Sequence, residues 1–212
     1  RLNLKSGLFG NLGENQVKEI IAAAKCAVFF IDEDQRVTLK DIGSQDEIEK
    51  WAYRANAAVT VLELASQFRC NGSDAYLAWL DNLLQIRETV NDDISDIEYD
   101  FRVLDSPAEL RSLIVEKNKI NNKARMVAGY CWKWVSKSNP HAYDIEFPEH
   151  RFQMKWNLTE DGSAWIISPN SVNEIGCIHT CQGLEVDYIG VIIGPDMFVK
   201  NDLIITDAAA RA

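Results

Sequence analysis

Residues 100–132 read "DFRVLDSPAELRSLIVEKNKINNKARMVAGYCW", and the alternation inside this stretch decides the fold class. "DFRVLD" has the apolar, β-branched character of a short strand. Ser106-Pro107-Ala108-Glu109 then joins a capping box to a proline at the first helical position, so a helix is expected through "AELRSLIVEKNKI". "ARMVAGYCW" reads as a strand again. Strand, helix, strand in that order is the unit of an α/β fold.

The same alternation continues outward in both directions. "ENQVKEIIAAAK" (14–25) reads as a helix and "CAVFFID" (26–32) as a buried strand that ends in charge. "VTVLEL" (59–64) is a further strand. In "SDAYLAWLDNLLQIR" (73–87), Tyr76, Leu77, Leu80, Leu83 and Leu84 fall at helical spacing, with Ser73 or Asp74 as the cap. "SAWIIS" and "DYIGVIIG" come later as strands, and "MFVKNDLIITD" as a hairpin turning at Asn201-Asp202. The expectation is an α/β fold with a mainly parallel sheet flanked by helices. A polar stretch from Asp41 to Ala57 marks a boundary between a first βα unit and the rest.

The bulk composition narrows the function classes. The chain has 212 residues, of which 47% are hydrophobic and 25% charged, as in an ordinary globular protein. No apolar run approaches the roughly 20 residues of a membrane span. "RLNLKSGLFG" has no signal-peptide core, and the start at Arg1 reads as a fragment. A net charge of −10 argues against a surface coated for nucleic acid, although it leaves room for a local basic groove. "ETVNDDISDIEYD" reads as a solvated acidic loop. The five cysteines, odd in number and set in apolar contexts, point to reduced thiols in a cytoplasmic protein.

In open α/β sheets the chemistry gathers beyond the carboxyl ends of strands. The residues to weigh are therefore "DEDQR", "SQFRC" and "HTCQGLE". In "CIHTC", Cys177, His179 and Cys181 form half a zinc site without a second ligand pair. A cysteine nucleophile would need a base in space, with His141, His150 and His179 as candidates. Asp32-Glu33 can end a nucleotide-binding strand or merely a core strand. No G-x-x-x-x-G-K-[ST] loop is present. Trp132 and Trp134, with Lys133 and Lys137 close by, suit either the core or stacking on bases.

Taken in order, three of these stretches resemble the motifs of superfamily one helicases, and in particular the helicase-like family of Schlafen-group-three type. Asp32-Glu33-Asp34-Gln35 resembles the third motif, "LASQFRC" the fourth and "CIHTCQGLEVD" the fifth. The resemblance implies a RecA-like, P-loop NTPase-type fold. Residues 1–45 would be the C-terminal part of a first RecA-like domain, and 46–212 a second one incomplete at its C-terminus. It also implies an ATP-dependent helicase-like motor using ATP and Mg²⁺, with single-stranded DNA or RNA as partner. Gln35 would sense the γ-phosphate, and Arg69 would stabilise charge on the transferring phosphoryl group. Asp32, Gln182, Gly183 and Glu185 would face the nucleotide, while His179 and Thr180 would touch the nucleic-acid backbone. The family's phosphate loop and magnesium acids would precede Arg1. A monomeric chain, inactive alone and completed by the rest of its first domain, is the expectation. A RecA-like interaction module without ATPase activity is the alternative.

Overall fold

A computed structural model of the chain describes residues 15–32, 44–63, 73–90, 93–95, 97–157, 164–181, 183 and 185–212. It divides into two compact units, Arg1–Ala65 and Ser66–Ala212.

Among the described residues the first unit holds two helices. In α1 (Gln16–Ala23) the Asn15 side chain accepts the Val17 N–H at 2.8 Å. The second, α2 (Gln45–Arg54), opens on a full capping box in which Ser44 and Glu47 satisfy each other's backbone amides. It lies within the polar stretch that the sequence marked as a boundary. Lys18 rests 5.7 Å from the Trp51 ring centroid. The expected strands at 26–32 and 59–64 do not form over their described residues. Phe30 is 85% and Leu62 84% exposed. A strand needs a neighbour to take its backbone hydrogen bonds, and among the described residues neither segment has one.

In the second unit, α3 (Asp74–Leu83) is capped by the Ser73 hydroxyl on the Tyr76 N–H. Tyr76 stacks on Tyr99 at 3.7 Å, which draws part of the acidic loop onto this helix. Residues 100–105, expected as a strand, have no regular structure. The helix after them, α4 (Pro107–Asn121), forms as its cap and proline dictate, with Ser106 accepting the Glu109 N–H. It ends on Asn122 at φ 59°, the left-handed conformation that asparagine tolerates.

Among the described residues five strands make the main sheet. They are β1 (Ala124–Ala128), β2 (Ile145–Phe147), β3 (Phe152–Trp156), β4 (Glu174–Gly176) and β5 (Tyr188–Ile192), in the spatial order β2-β3-β4-β1-β5. All neighbours are parallel except β2 and β3, which form an antiparallel pair. The α/β, mainly parallel reading therefore holds. Between β4 and β5 lies a short helix, α5 (Ile178–Cys181). The hairpin of β6 (Met197–Lys200) and β7 (Leu203–Thr206) turns at Asn201 and Asp202, both at positive φ, where the sequence placed it.

Register explains the core. Met126, Ile175 and Trp156 lie side by side across β1, β4 and β3, and all are fully buried. Each such side chain contributes about 1.5–3 kcal/mol by leaving water. Leu110 and Ile114 of α4 close over Gly190, where a Cβ would come within 3.0 Å of both. Trp132 and Trp134 pack against this core, with Trp134 at 6.1 Å from Trp156 and Trp132 at 5.7 Å from Phe147. Both are half-buried against it.

Two polar fasteners complete the packing. Buried Asp144 accepts the Ser136 N–H and hydroxyl and the Trp156 N–H, tying the 136–144 loop to β3. Arg125, 1% exposed, spreads its guanidinium over Asn118, Asn122, Ala124, Ile166 and Ser168. The last two acceptors exist because "SAWIIS" is not a strand. Ala164 O accepts the Ile167 and Ser168 amides instead, closing a turn that aims its carbonyls at Arg125.

Candidate nucleic-acid interface

The carboxyl ends of β1 and β4 lie side by side, so the segments that leave the two strands meet there. After β1 the chain turns at Gly129, whose carbonyl accepts the Cys131 N–H, and this presents Tyr130. After β4, Cys177 opens α5, and its carbonyl accepts the Thr180 and Cys181 amides. Asn157, at the end of β3, holds this loop from below by accepting the Cys177 N–H at 3.1 Å. The loop thus hangs from three neighbouring strands.

Tyr130 is the centre of the arrangement. Its ring stands 5.9 Å from that of His179 and 5.9 Å from that of Trp156, bridging the exposed imidazole to the core. Burial, followed by a hydrogen bond to Cys177, pushes the phenol well above its ordinary value. The buried Cys177 sulfur lies 3.3 Å from the Thr180 hydroxyl. For Cys177, burial is the largest single influence and raises the thiol. The hydroxyls of Thr180 and Tyr130, with the Thr180 and His179 amides, outweigh it and hold the thiol below its usual range. Cys181 has no such donors, and burial pushes it up to about 12.

The residues chosen from the sequence divide accordingly. His179 is exposed and Thr180 half-buried, both on α5 at the strand ends. Gly183 comes next at φ 80°, a conformation that explains glycine at this place. Glu185 is exposed. Asp32 is exposed in the first unit. Gln35, Arg69 and Gln182 lie outside the described residues.

Chemically, the loop offers solvent an imidazole held from behind, beside a hydroxyl whose oxygen is tied to sulfur. The side chains that hydrogen-bond Cys177 are the Thr180 and Tyr130 hydroxyls. Among the described residues no three His, Cys, Asp or Glu side chains converge to hold a metal. None of their helices is long and apolar enough to cross a membrane. Sequence reading missed Tyr130, which it counted inside the strand "ARMVAGYCW"; its position just after an apolar run was the available signal.

The model of the Schlafen group 3, DNA/RNA helicase domain matches residues 1–211. The uncharacterized protein YPL245W of Saccharomyces cerevisiae is 22% identical over 210 residues, covering 86% of this chain and 44% of that protein. The chain thus spans less than half the length of this relative. No solved structure matches. With the family model running from the first residue almost to the last, the chain belongs to the Schlafen group 3 DNA/RNA helicase domain family.

Proposed function

We propose that this chain is the part of an ATP-dependent, helicase-like motor that grips a single strand of nucleic acid through the loop between β4 and β5. The observation that carries the reading is the held imidazole. His179 projects from the carboxyl end of a parallel strand and is backed by Tyr130 at 5.9 Å. Such an anchored side chain can bond a phosphate or sugar oxygen without first losing much conformational freedom. Thr180, one residue on, offers a second polar contact. Gly183, at φ 80°, lets the backbone after α5 approach a ligand closely.

In the whole protein, Gln182, Gly183, Glu185 and Asp32 serve the nucleotide. Gln35 senses its terminal phosphate, and the planar, permanently charged Arg69 stabilises the transferring phosphoryl group. ATP and Mg²⁺ are the implied ligands, and a RecA-like core is the implied frame. The support for these roles is family membership together with the order of the motifs along the chain.

The test uses the full-length protein and a fluorescent single-stranded oligonucleotide. His179→Ala is expected to weaken binding about 3- to 10-fold, the loss of one or two backbone contacts. Gln35→Ala and Arg69→Ala should leave binding intact and abolish nucleic-acid-stimulated ATP hydrolysis. Unchanged binding in His179→Ala refutes the loop assignment. Full-length protein that binds oligonucleotide but never turns over ATP would instead be a non-catalytic interaction module.

A further inference from the structure

Arg111, in the first turns of α4, is half-buried, and among the described residues no carboxylate lies within ion-pair distance of it. This is unexpected in a chain whose 32 acidic residues outnumber its 22 basic ones. A guanidinium withdrawn from water ordinarily takes an anion. Arg111 instead lines a cavity of about 420 Å³ beside the amino end of β4.

The rest of the wall has the same character. Lys155 of β3 sends its ammonium to the Pro140 carbonyl and lies 5.7 Å from the Tyr143 ring centroid; it too has no carboxylate partner among the described residues. Gln153, Asn170 and Asn173, each with a carboxamide, also line the cavity. Glu174 is the one acid on the wall, and its carboxylate accepts the Trp165 indole N–H at 3.1 Å. Two cations face one engaged carboxylate, so the cavity is positive within an acidic protein.

We infer that this cavity is a second ligand site, taking a phosphate-bearing ligand. A tetrahedral phosphoryl group presents oxygens in several directions at once. That suits a wall carrying the guanidinium residue Arg111 from α4, the ammonium residue Lys155 from β3 and three carboxamide residues able to donate N–H bonds. A single carboxylate would leave most of these donors idle. The volume falls within the roughly 300–1,000 Å³ of small-ligand sites. The cavity shares no residue with the Tyr130–His179 loop and does not rest on the function proposed for it.

The phosphoryl group can belong to a small phosphate ester or to a nucleic-acid strand, and two probes separate these sources. Inorganic pyrophosphate is titrated calorimetrically into the 212-residue chain, and a labelled ten-nucleotide oligothymidylate is followed by anisotropy. At least one probe is expected to bind, and Arg111→Gln to weaken it about fivefold or more, with Lys155→Gln acting in the same direction. Arg111→Lys should recover part of the loss, because it restores the charge without the fork. If the strand is the ligand, the salt slope of binding falls by about one in Arg111→Gln. His179→Ala should leave pyrophosphate binding untouched. The proposal is overturned if neither probe binds more tightly than millimolar. It is equally overturned if Arg111→Gln binds like the parent while thermal unfolding shows both folded. If Arg111→Gln keeps both pyrophosphate and oligonucleotide binding while His179→Ala loses the oligonucleotide, this site is sunk and the loop assignment stands.

Discussion

Arg125 can be treated as a stability experiment with a sign to decide. Its guanidinium is buried, and its hydrogen bonds, 2.7–3.2 Å long, go to the carbonyls of Asn122, Ala124, Ile166 and Ser168 and to the side chains of Asn118 and Asn122. No carboxylate neutralises it among these partners, and its Nε has no partner. Burial accordingly holds its pKa below the ordinary value. Two effects oppose each other in Arg125→Ala. Removing an un-neutralised buried charge returns several kcal/mol of desolvation. Against that, Ile166 O loses its guanidinium partner, at about 1–3 kcal/mol for an uncompensated acceptor, and hydrogen bonds to a charged group are each worth about 1.5–3 kcal/mol. The void left beside Trp165 adds to the loss.

With several such bonds against one charge, the bonds win, and a net loss of about 3 kcal/mol is expected. At about 2–4 °C per kcal/mol for a unit of this size, the midpoint should fall by about 6–12 °C. Arg125→Met keeps volume without charge and should lose only about 1–2 kcal/mol. Arg125→Lys keeps the charge without the fork and should lose at least as much as alanine, because one ammonium cannot serve acceptors on both sides. Urea unfolding followed by tryptophan fluorescence reads all three. A loss below about 1 kcal/mol in Arg125→Ala, or full stability in Arg125→Lys, would refute this balance.

Three further outcomes concern the loop. Gly176→Ala sets a Cβ 2.7 Å from both the buried Trp165 ring and Cys181 Sγ, so a loss of about 2–3 kcal/mol is expected in urea unfolding. Gly183→Ala meets open space and carries only the left-handed backbone penalty, about 1 kcal/mol at φ 80°, with Gly183→Asn costing less. ¹³Cβ NMR of the cysteines should show Cys177 ionising below its ordinary range and Cys181 keeping its proton to about 12, and Tyr130→Phe should move Cys177 upward. The lowered thiol adds stability as pH rises toward the unfolded value near 9, and the raised one loses its contribution from there upward. Cys181 titrating first would contradict the hydrogen-bond account.

The same division runs through what was legible in the residues. Ser73 and Ser106 with Pro107 announced their helices, because caps and turns act within four residues. The Asn201-Asp202 turn announced its hairpin for the same reason. The apolar runs at 26–32, 59–64, 100–105 and 163–168 read equally well as strands and failed over their described residues. The runs at 124–128 and 188–192 succeeded because β1 and β5 found each other. Nothing inside a segment encodes whether a partner will be beside it.

The candidate site splits in the same way. His179, Thr180 and Gly183 were readable from a contiguous motif, whereas the ring that holds His179 comes from Tyr130, far away in the chain. The cysteines looked like passive buried thiols. Cys177 proved to be the bond between Thr180 and Tyr130, and Cys26 is exposed. Sequence alone determined the α/β class, the capped starts of α3 and α4 and the turn of the last hairpin, since each rests on interactions a few residues long. Tertiary structure decided which apolar runs became strands, where Arg125 spends its charge and what stands behind His179. Those outcomes depend on groups brought together only when loop entropy has been overcome by the packing of a whole sheet.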